Sequence, residues 1–456
     1  MVGSPRALVL GAGISGLLAA YRLRQQLGDA ATIVVADPEP GSGGKLRTGE
    51  VGQSGGPVEL GAEAFVRRRP EVTSLAAELG IAEQLVHPSG LRPAIWAGHE
   101  LHPMPAGTFM GIPLGPEALE GLVDDTTLAR IAAEPGLPLD WKPGQDASLG
   151  QLLAERFGPR VVQRSVDPLM AGVYGGGTEH IGVRAATPEL AAALDRGATS
   201  ITAAARSALR PGPAGPVFAT FRDGYRILID ALERAARAER TQDFLDRPLR
   251  ADGRGWDAGV LGHADIVVIA TPAHAAGRLL AQAAPEASHE LARIQHASAA
   301  LVTLDLPLDA GIPQHSGVLV ATGEELAAKA FTFTSRKWTH QAHRNLVRVS
   351  LGRFGDDPGT SILDQPDARI IDIARADLST VTGVAEEPLA TRVQRWRDGL
   401  PQYEPGHAER VTTIEQAVAP MPGLALAGAY LHGVGVPACI ATADAAVAQA
   451  LSGVAG

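Results

Sequence analysis

Cysteine is almost absent: the 456 residues contain one, Cys439. A single thiol excludes an internal disulfide framework and suits a reducing, cytoplasmic compartment. Aromatics are scarce, with 5 Trp, 5 Tyr and 9 Phe, so a substrate cage of stacked rings is poorly supplied. Positive charge is in deficit. The 40 basic and 50 acidic residues leave a net charge of −10, which argues against nucleic acid as a partner. No uninterrupted stretch reaches the roughly 20 apolar residues of a membrane span. The apolar segment 7–20 carries regularly placed glycines and is followed at once by a second strand pattern, which separates it from a secretory h-region. The length exceeds one ordinary core and predicts two domains.

Glycine, by contrast, is abundant and ordered. The apolar run 7–10 leads into Gly11-Ala12-Gly13-Ile14-Ser15-Gly16, and a second apolar run, 17–23, follows. This reads as strand, tight turn and helix start. Gly11 permits the turn, Gly13 lets a pyrophosphate approach the backbone, and Gly16 lets helix and strand pack closely. Phosphates then meet a helix N-terminus, whose free N–H groups and dipole favour negative charge, the amides of Ile14 and Ser15 among them. The run Thr32-Ile33-Val34-Val35-Ala36-Asp37 predicts a second parallel strand, with Asp37 placed to bond a ribose hydroxyl. One such glycine motif is weak, because glycine turns occur in many α/β proteins. Strand, turn, helix, strand and terminal acid in that order predict a dinucleotide site.

A plain nicotinamide domain needs no further glycine pair, yet the chain continues Gly41-Ser42-Gly43-Gly44-Lys45-Leu46-Arg47-Thr48 and then Val58-Glu59-Leu60-Gly61-Ala62-Glu63-Ala64-Phe65. An extended FAD lying under that loop accounts for both stretches. With them the sequence resembles the FAD-dependent protoporphyrinogen and coproporphyrinogen oxidases, within the amine-oxidase type of flavoprotein. Further segments carry the resemblance across nearly the whole chain: Asp167-Pro168-Leu169-Met170-Ala171-Gly172-Val173-Tyr174-Gly175-Gly176, Phe333-Thr334-Ser335-Arg336-Lys337-Trp338, Leu400-Pro401-Gln402-Tyr403, and 426–440 with Gly428, Gly433, Gly435, Val436 and Pro437. The last and the Asp167 segments are the most discriminating.

The resemblance implies FAD as cofactor. Its contacts would be Gly11, Gly13, Ile14, Ser15, Gly16, Asp37, Gly43, Gly44, Lys45 and Leu46 at one end, and Gly61, Ala62, Glu63, Gly428, Gly435, Val436 and Pro437 at the flavin end. Pro437 at a helix start would aim that N-terminus at the flavin and favour its anionic reduced form. Related flavoproteins often carry Asp where this chain has Ala429, so backbone amides are expected to serve there. Cys439 reads as a small buried hydrophobe. No second glycine fingerprint with flanking strand and helix follows, which favours molecular oxygen as the electron acceptor.

The implied reaction is three successive two-electron oxidations of a porphyrinogen in haem synthesis, with coproporphyrinogen III preferred and protoporphyrinogen IX the alternative. An amine oxidase or a carotenoid desaturase is the more distant alternative. Porphyrinogens carry carboxylates, and arginine bonds carboxylates bidentately. Arg68 and Arg69 in the run Arg67-Arg68-Arg69, and Lys337 beside Arg336, are the candidate substrate cations, with Arg344, Arg348 and Arg353 behind them; the bland reading of each is a solvated surface charge. His99 and His102, or His340 and His343, lack a third ligand, so no metal is expected. The proton acceptor and the oligomeric state are not legible. Among partners, the resemblance leaves room for a transient contact with ferrochelatase and for peripheral membrane contact.

The fold class expected is α/β: a Rossmann-like FAD domain from residues 1–90, 212–298 and 407–456, and a second α+β substrate domain, a mixed sheet plus helices, from 91–211 and 299–406. A helical part is expected at about 110–195. Helices are predicted at 149–157, 159–167, 188–194 and 225–238, and one from about 438. Strands are predicted at 264–272, 300–306, 317–320, 330–334, 346–351 and 424–427. Residues 91–143, rich in Pro and Gly, read as loops, and 211–216 as a crossing between domains.

Overall fold

The computed structural model describes residues 4–52, 56–209, 215–355 and 361–453. Most of the expected crossing, 211–214, lies outside them. Five strands form a parallel sheet in the order Glu239–Thr241, Thr32–Ala36, Arg6–Leu10, Ile266–Ile269, Leu424–Leu426. The central strands are runs of Val, Ile, Leu and Ala buried on both faces, as a parallel sheet covered twice requires. Helices Ile14–Leu27, Arg226–Ala236 and Val436–Ser452 pack on one face. Ala273–Leu280, Pro285–Ala292 and His407–Val418 cover the other. The first and last segments of the described chain are therefore neighbours in one layer.

A second sheet has seven strands in the order Ala390–Pro401, His296–Leu306, Asn345–Leu351, Ala328–Phe333, Gly317–Val320, Ala94–Ala97, Glu100–Pro103. All neighbours are antiparallel except Gly317–Val320 beside Ala94–Ala97, so the sheet is mixed. Helix Asp367–Thr382 buries Ile370, Ala374, Leu378 and Val381 against it. A separate helical cluster gathers Leu149–Phe157, Asp167–Tyr174, Pro188–Asp195 and Ile201–Ala208 around Phe157, Met170 and Leu190. The α/β class with a parallel and a mixed sheet is the architecture found.

Several local expectations shift. The stretch 91–143, read as loops, contains the hairpin Ala94–Ala97 and Glu100–Pro103. Its strands are only four residues long, too short to show a period. The expected helix 159–167 breaks into a single turn, Pro159–Val161, and a π-turn, Val162–Val166, before Asp167–Tyr174. Strand His296–Leu306 begins four residues before its expected start at 300. The last helix begins at Val436, so Pro437 is its second residue and not its first. Helix Asp367–Thr382 and most of the charged edge strand Ala390–Pro401 were not anticipated.

The turn at Gly11 is the tightest joint between strand and helix. Gly11 has φ +106°, and a Cβ there would stand 2.7 Å from the Ala270 carbonyl oxygen. A Cβ on Gly16 would stand 1.9 Å from the Gly11 carbonyl oxygen. Gly16→Ala should therefore destabilise the protein by about 2 kcal/mol or more through backbone overpacking, lowering its thermal midpoint by several degrees. An unchanged midpoint in calorimetry would contradict the close-packed joint.

Candidate functional site

Three backbone turns meet at the carboxyl ends of the parallel strands, where ligands bind in open α/β sheets. The first is the glycine turn. Helix Ile14–Leu27 is entered through Gly13, and a Cβ built on Gly13 has no neighbour within 4 Å. Space thus lies open beside the helix start, where unpaired amides favour an anion such as a pyrophosphate. The Ile14 side chain is core, and the Ser15 hydroxyl donates to the Cys439 carbonyl at 3.0 Å. These two residues can offer a ligand only their backbone. Asp37 accepts from the Ala12 amide at 2.7 Å and the Glu39 amide at 2.9 Å. Both bonds orient its carboxylate and leave lone pairs for ribose hydroxyls.

The second turn is the glycine pair. Gly43 donates its amide to the Ala12 carbonyl at 2.8 Å, docking this loop on the first turn. A Cβ on Gly44 would come within 3.2 Å of the Gly13 Cα. Beyond it, Leu60 donates to the Arg47 carbonyl at 2.8 Å and Ala62 to the Lys45 carbonyl at 3.1 Å, so segments 45–47 and 60–62 run side by side. A Cβ on Gly61 would fall 1.9 Å from the Lys45 carbonyl oxygen. The Leu46 side chain is buried, whereas Lys45 stays accessible along the cleft. Loss of bulk solvent there lowers its pKa, and the neighbouring Cys439 works in the opposite direction.

The third turn is C-terminal. Gly428 and Gly433 have φ +141° and +137°. Gly435 precedes helix Val436–Ser452 in extended backbone. Since Pro437 has no N–H, Val436 and Ala438 carry the free amide donors of this helix end. Cys439 donates instead to the Gly435 carbonyl, and burial raises its thiol pKa. Tyr403 ties the turn down: its hydroxyl donates to the Ala429 carbonyl at 2.5 Å and accepts from the Gly433 amide at 2.7 Å. Its ring stacks on His407, with centroids 3.9 Å apart. The cradle suits an extended dinucleotide: small residues where backbones approach, two helix N-termini for anionic groups, and Asp37 for a ribose.

One neighbour of the cradle, Trp396, escaped the sequence reading. Trp396 donates its indole N–H to the Leu60 carbonyl at 2.7 Å, and the Arg47 guanidinium lies 5.4 Å from the ring centre. The Gln402 amide donates to the Tyr174 carbonyl at 2.7 Å, linking the 400–403 and 167–176 motifs. Proximity to the 400–403 motif was the only available signal for Trp396. Asp167 is buried and accepts from the Thr178 amide and hydroxyl and the Thr322 hydroxyl, so it clamps the helical cluster.

The basic candidates divide sharply. Strand Phe65–Val66, which leads into Arg67, pairs with Phe218, and the Phe218 ring lies 5.9 Å from the Lys337 ammonium. The run 67–69 and the segment 333–338 are thus brought together. Lys337, however, is bound to Glu63 at 2.5 Å, and Arg348 sits 3.6 Å from the same carboxylate while donating to the Gly61 carbonyl. Arg69 pairs with Glu71. Arg344 is buried on Asp305 and the Val51 carbonyl. Arg353 donates to the Ala328 carbonyl, and Arg336 is half-buried. Arg67 and Arg68 expose their side chains, and Arg68 makes no ion pair among the described residues. His102 bonds the Ala97 carbonyl, and no cluster of three or more metal-ligating side chains occurs among the described residues. Nor, among them, is any helix long and apolar enough to cross a membrane.

Burial alone would raise the Glu63 pKa, but Lys337 and then Arg348 overcome it and hold the group at about 2. A carboxylate depressed below its ordinary 4.5 adds stability that is present above that value and lost as pH falls toward 2. Lys337→Met should therefore cost about 2 kcal/mol at neutral pH, with the deficit shrinking as pH falls from 4.5 toward 2. Urea unfolding at both ends of that range checks it, and a pH-independent deficit would contradict the ion pair.

A family model described as flavin-containing amine oxidoreductase matches residues 14–451. A coproporphyrinogen III oxidase of Mycobacterium tuberculosis H37Rv is 46% identical over 453 residues, 98% of each chain. One from Bacillus subtilis is 30% identical over 473 residues, 99% of this chain and 98% of its own. Among solved structures, a protein of Exiguobacterium sp. 255-15, provisionally described as a protoporphyrinogen oxidase, superposes with TM-score 0.85 at 27% identity, covering 98% of this chain and 99% of the other.

Proposed function

The chain belongs to the flavin-containing amine oxidoreductase family, and on that premise we propose that it oxidises coproporphyrinogen III to coproporphyrin III with FAD as its redox group. The observation that carries this reading is the likeness to the mycobacterial coproporphyrinogen III oxidase, which spans both the cofactor turns and the second sheet. When bound, FAD supplies a two-electron acceptor for the hydride of a meso carbon, and molecular oxygen takes those electrons on.

The chain's own residues hold, orient and shield. The amides that open helix Ile14–Leu27, and Asp37, hold the nucleotide half of the cofactor. Lys45, Gly61, Ala62 and the amides of Val436 and Ala438 surround the flavin half. A helix N-terminus there favours negative charge, which is what flavin reduction creates. Hydride transfer needs orientation and a dry cavity rather than a nucleophile. Because Lys337 already neutralises Glu63, the substrate carboxylates fall to Arg68 and Arg67. Both lie beside the Glu63 loop, and arginine bonds a carboxylate through two N–H groups at once.

Oxygen uptake and porphyrin fluorescence, measured on the holoenzyme with each porphyrinogen, test the reading. The expected result is a higher kcat/KM for coproporphyrinogen III than for protoporphyrinogen IX. Arg68→Ala should raise KM for coproporphyrinogen roughly tenfold, the loss of one charged hydrogen-bonding pair. Faster turnover of protoporphyrinogen would move the assignment to that substrate, and flavin bleaching by amines alone would refute both.

A further inference from the structure

A cavity beside the cofactor cradle is lined by Glu59, Glu63, Thr220, Arg222, Thr334 and His340, with a volume of about 30 Å³. Its walls mix apolar side chains, Val58, Phe221 and Trp338, with these polar ones. Glu59 Oε2, Thr220 Oγ1, Tyr225 OH, Thr334 Oγ1 and Gln341 Oε1 are buried with no hydrogen-bond partner among the described protein atoms. Of these, Glu59, Thr220, Thr334 and Gln341 line this one space, from separate stretches of chain. Buried polar atoms in folded proteins are satisfied by protein or by water, and a cavity of this volume bordered by several polar groups has room for about one or two waters. The other oxygen of Glu59 accepts from the Tyr225 amide at 2.6 Å and the Thr48 hydroxyl at 3.0 Å, so Oε2 is the oxygen left without a partner among the described atoms. Glu59 also lies two residues from Gly61 on the flavin-side loop. At the other end Arg222 is exposed and His340 half-buried, so the cavity reaches the surface.

We propose that this cavity is a hydrated proton path between the flavin-side loop and solvent, with the Glu59 carboxylate as its relay. The inference rests on the porphyrinogen oxidase reading. Each two-electron oxidation breaks one meso C–H bond, whose hydrogen leaves with the electron pair to the flavin. It also releases one proton, from a pyrrole N–H in two of the three rounds and, after tautomerisation, from the fourth meso carbon in the remaining one, and a new double bond forms in the macrocycle. That proton passes through water to Glu59. It is given back when oxygen takes up the hydride equivalent and becomes hydrogen peroxide, so atoms and electrons balance. The groups facing Glu59 suit a relay. Burial raises its pKa, the Tyr225 amide, Thr48 and Arg348 pull it down, and Glu63 pushes it up, leaving it at about 7. Arg222 and His340 stand at the mouth, and burial followed by Arg222 keeps His340 below its ordinary value. A group titrating near neutrality can both accept and return a proton.

Glu59→Gln keeps the acceptor oxygen for the Tyr225 amide but cannot carry a proton. In the wild-type holoenzyme, kcat should rise with pH through about 7, because the relay accepts protons only as carboxylate. The variant should lose that limb and at least tenfold in kcat, with KM and flavin content unchanged, and Glu59→Asp should recover part of the limb. A structural role alone would leave the limb in place. Infrared difference spectra of the wild-type protein supply a readout independent of turnover and of any variant's folding. A protonated carboxyl band should titrate near pH 7 and shift within the mixing time in D2O. A limb retained in Glu59→Gln with kcat within twofold of wild type, or no carboxyl titrating near neutrality, would overturn the relay. A wild-type enzyme that binds FAD but oxidises no porphyrinogen would instead overturn the functional reading, and the relay with it.

Discussion

Everything in this molecule is arranged around places where backbone must touch backbone. Gly16 against the Gly11 carbonyl and Gly61 against the Lys45 carbonyl leave no room for a side chain, and Gly44 lies close on Gly13. These contacts fix the first two turns over the carboxyl edge of one parallel sheet, and Tyr403 ties down the third. Residues more than four hundred apart in sequence then meet directly, through the Ser15 hydroxyl on the Cys439 carbonyl. The cradle is set by the packing of the two helices it joins, so its amides point where an anionic ligand needs them before the ligand arrives. Preorganised dipoles of that kind cost no rearrangement when charge develops.

The second constraint is electrostatic. An acidic chain that handles a carboxylate-bearing substrate must keep its cations from being spent internally, and here most of them are spent. Lys337 and Arg348 close on Glu63, Arg344 on Asp305, and Arg69 on Glu71. The Glu63 knot sits where the cradle meets the second sheet, and losing one member would strand a buried charge. Its neighbour Glu59 is held quite differently, with one oxygen capped and the other unpartnered among the described atoms, in a residue that lines a cavity. Two carboxylates four residues apart thus have opposite titration behaviour, because only one has a cation at contact distance.

The glycine turns were legible in the sequence because their constraint is local: only glycine tolerates those contacts, so composition and spacing carry the message. The strands Arg6–Leu10, Thr32–Ala36 and Ile266–Ile269 were legible as apolar runs buried on both sides. Strand Ala390–Pro401 was not, because it is a charged edge whose role, through Trp396, is set by what it meets across the fold. The hairpin at 94–103 was too short to declare a period. Lys337 illustrates the limit for site residues. Its charge was visible in the sequence, but its commitment to Glu63, 274 positions away, was not.

The central claim is that turns from both ends of the chain close on one FAD. Amide hydrogen exchange, followed with and without the cofactor, tests it most directly. Added FAD should slow exchange together in residues 11–16, 43–46 and 433–440, at a stoichiometry of one per chain. Protection confined to 11–16, with the C-terminal turn unaffected, would contradict the account.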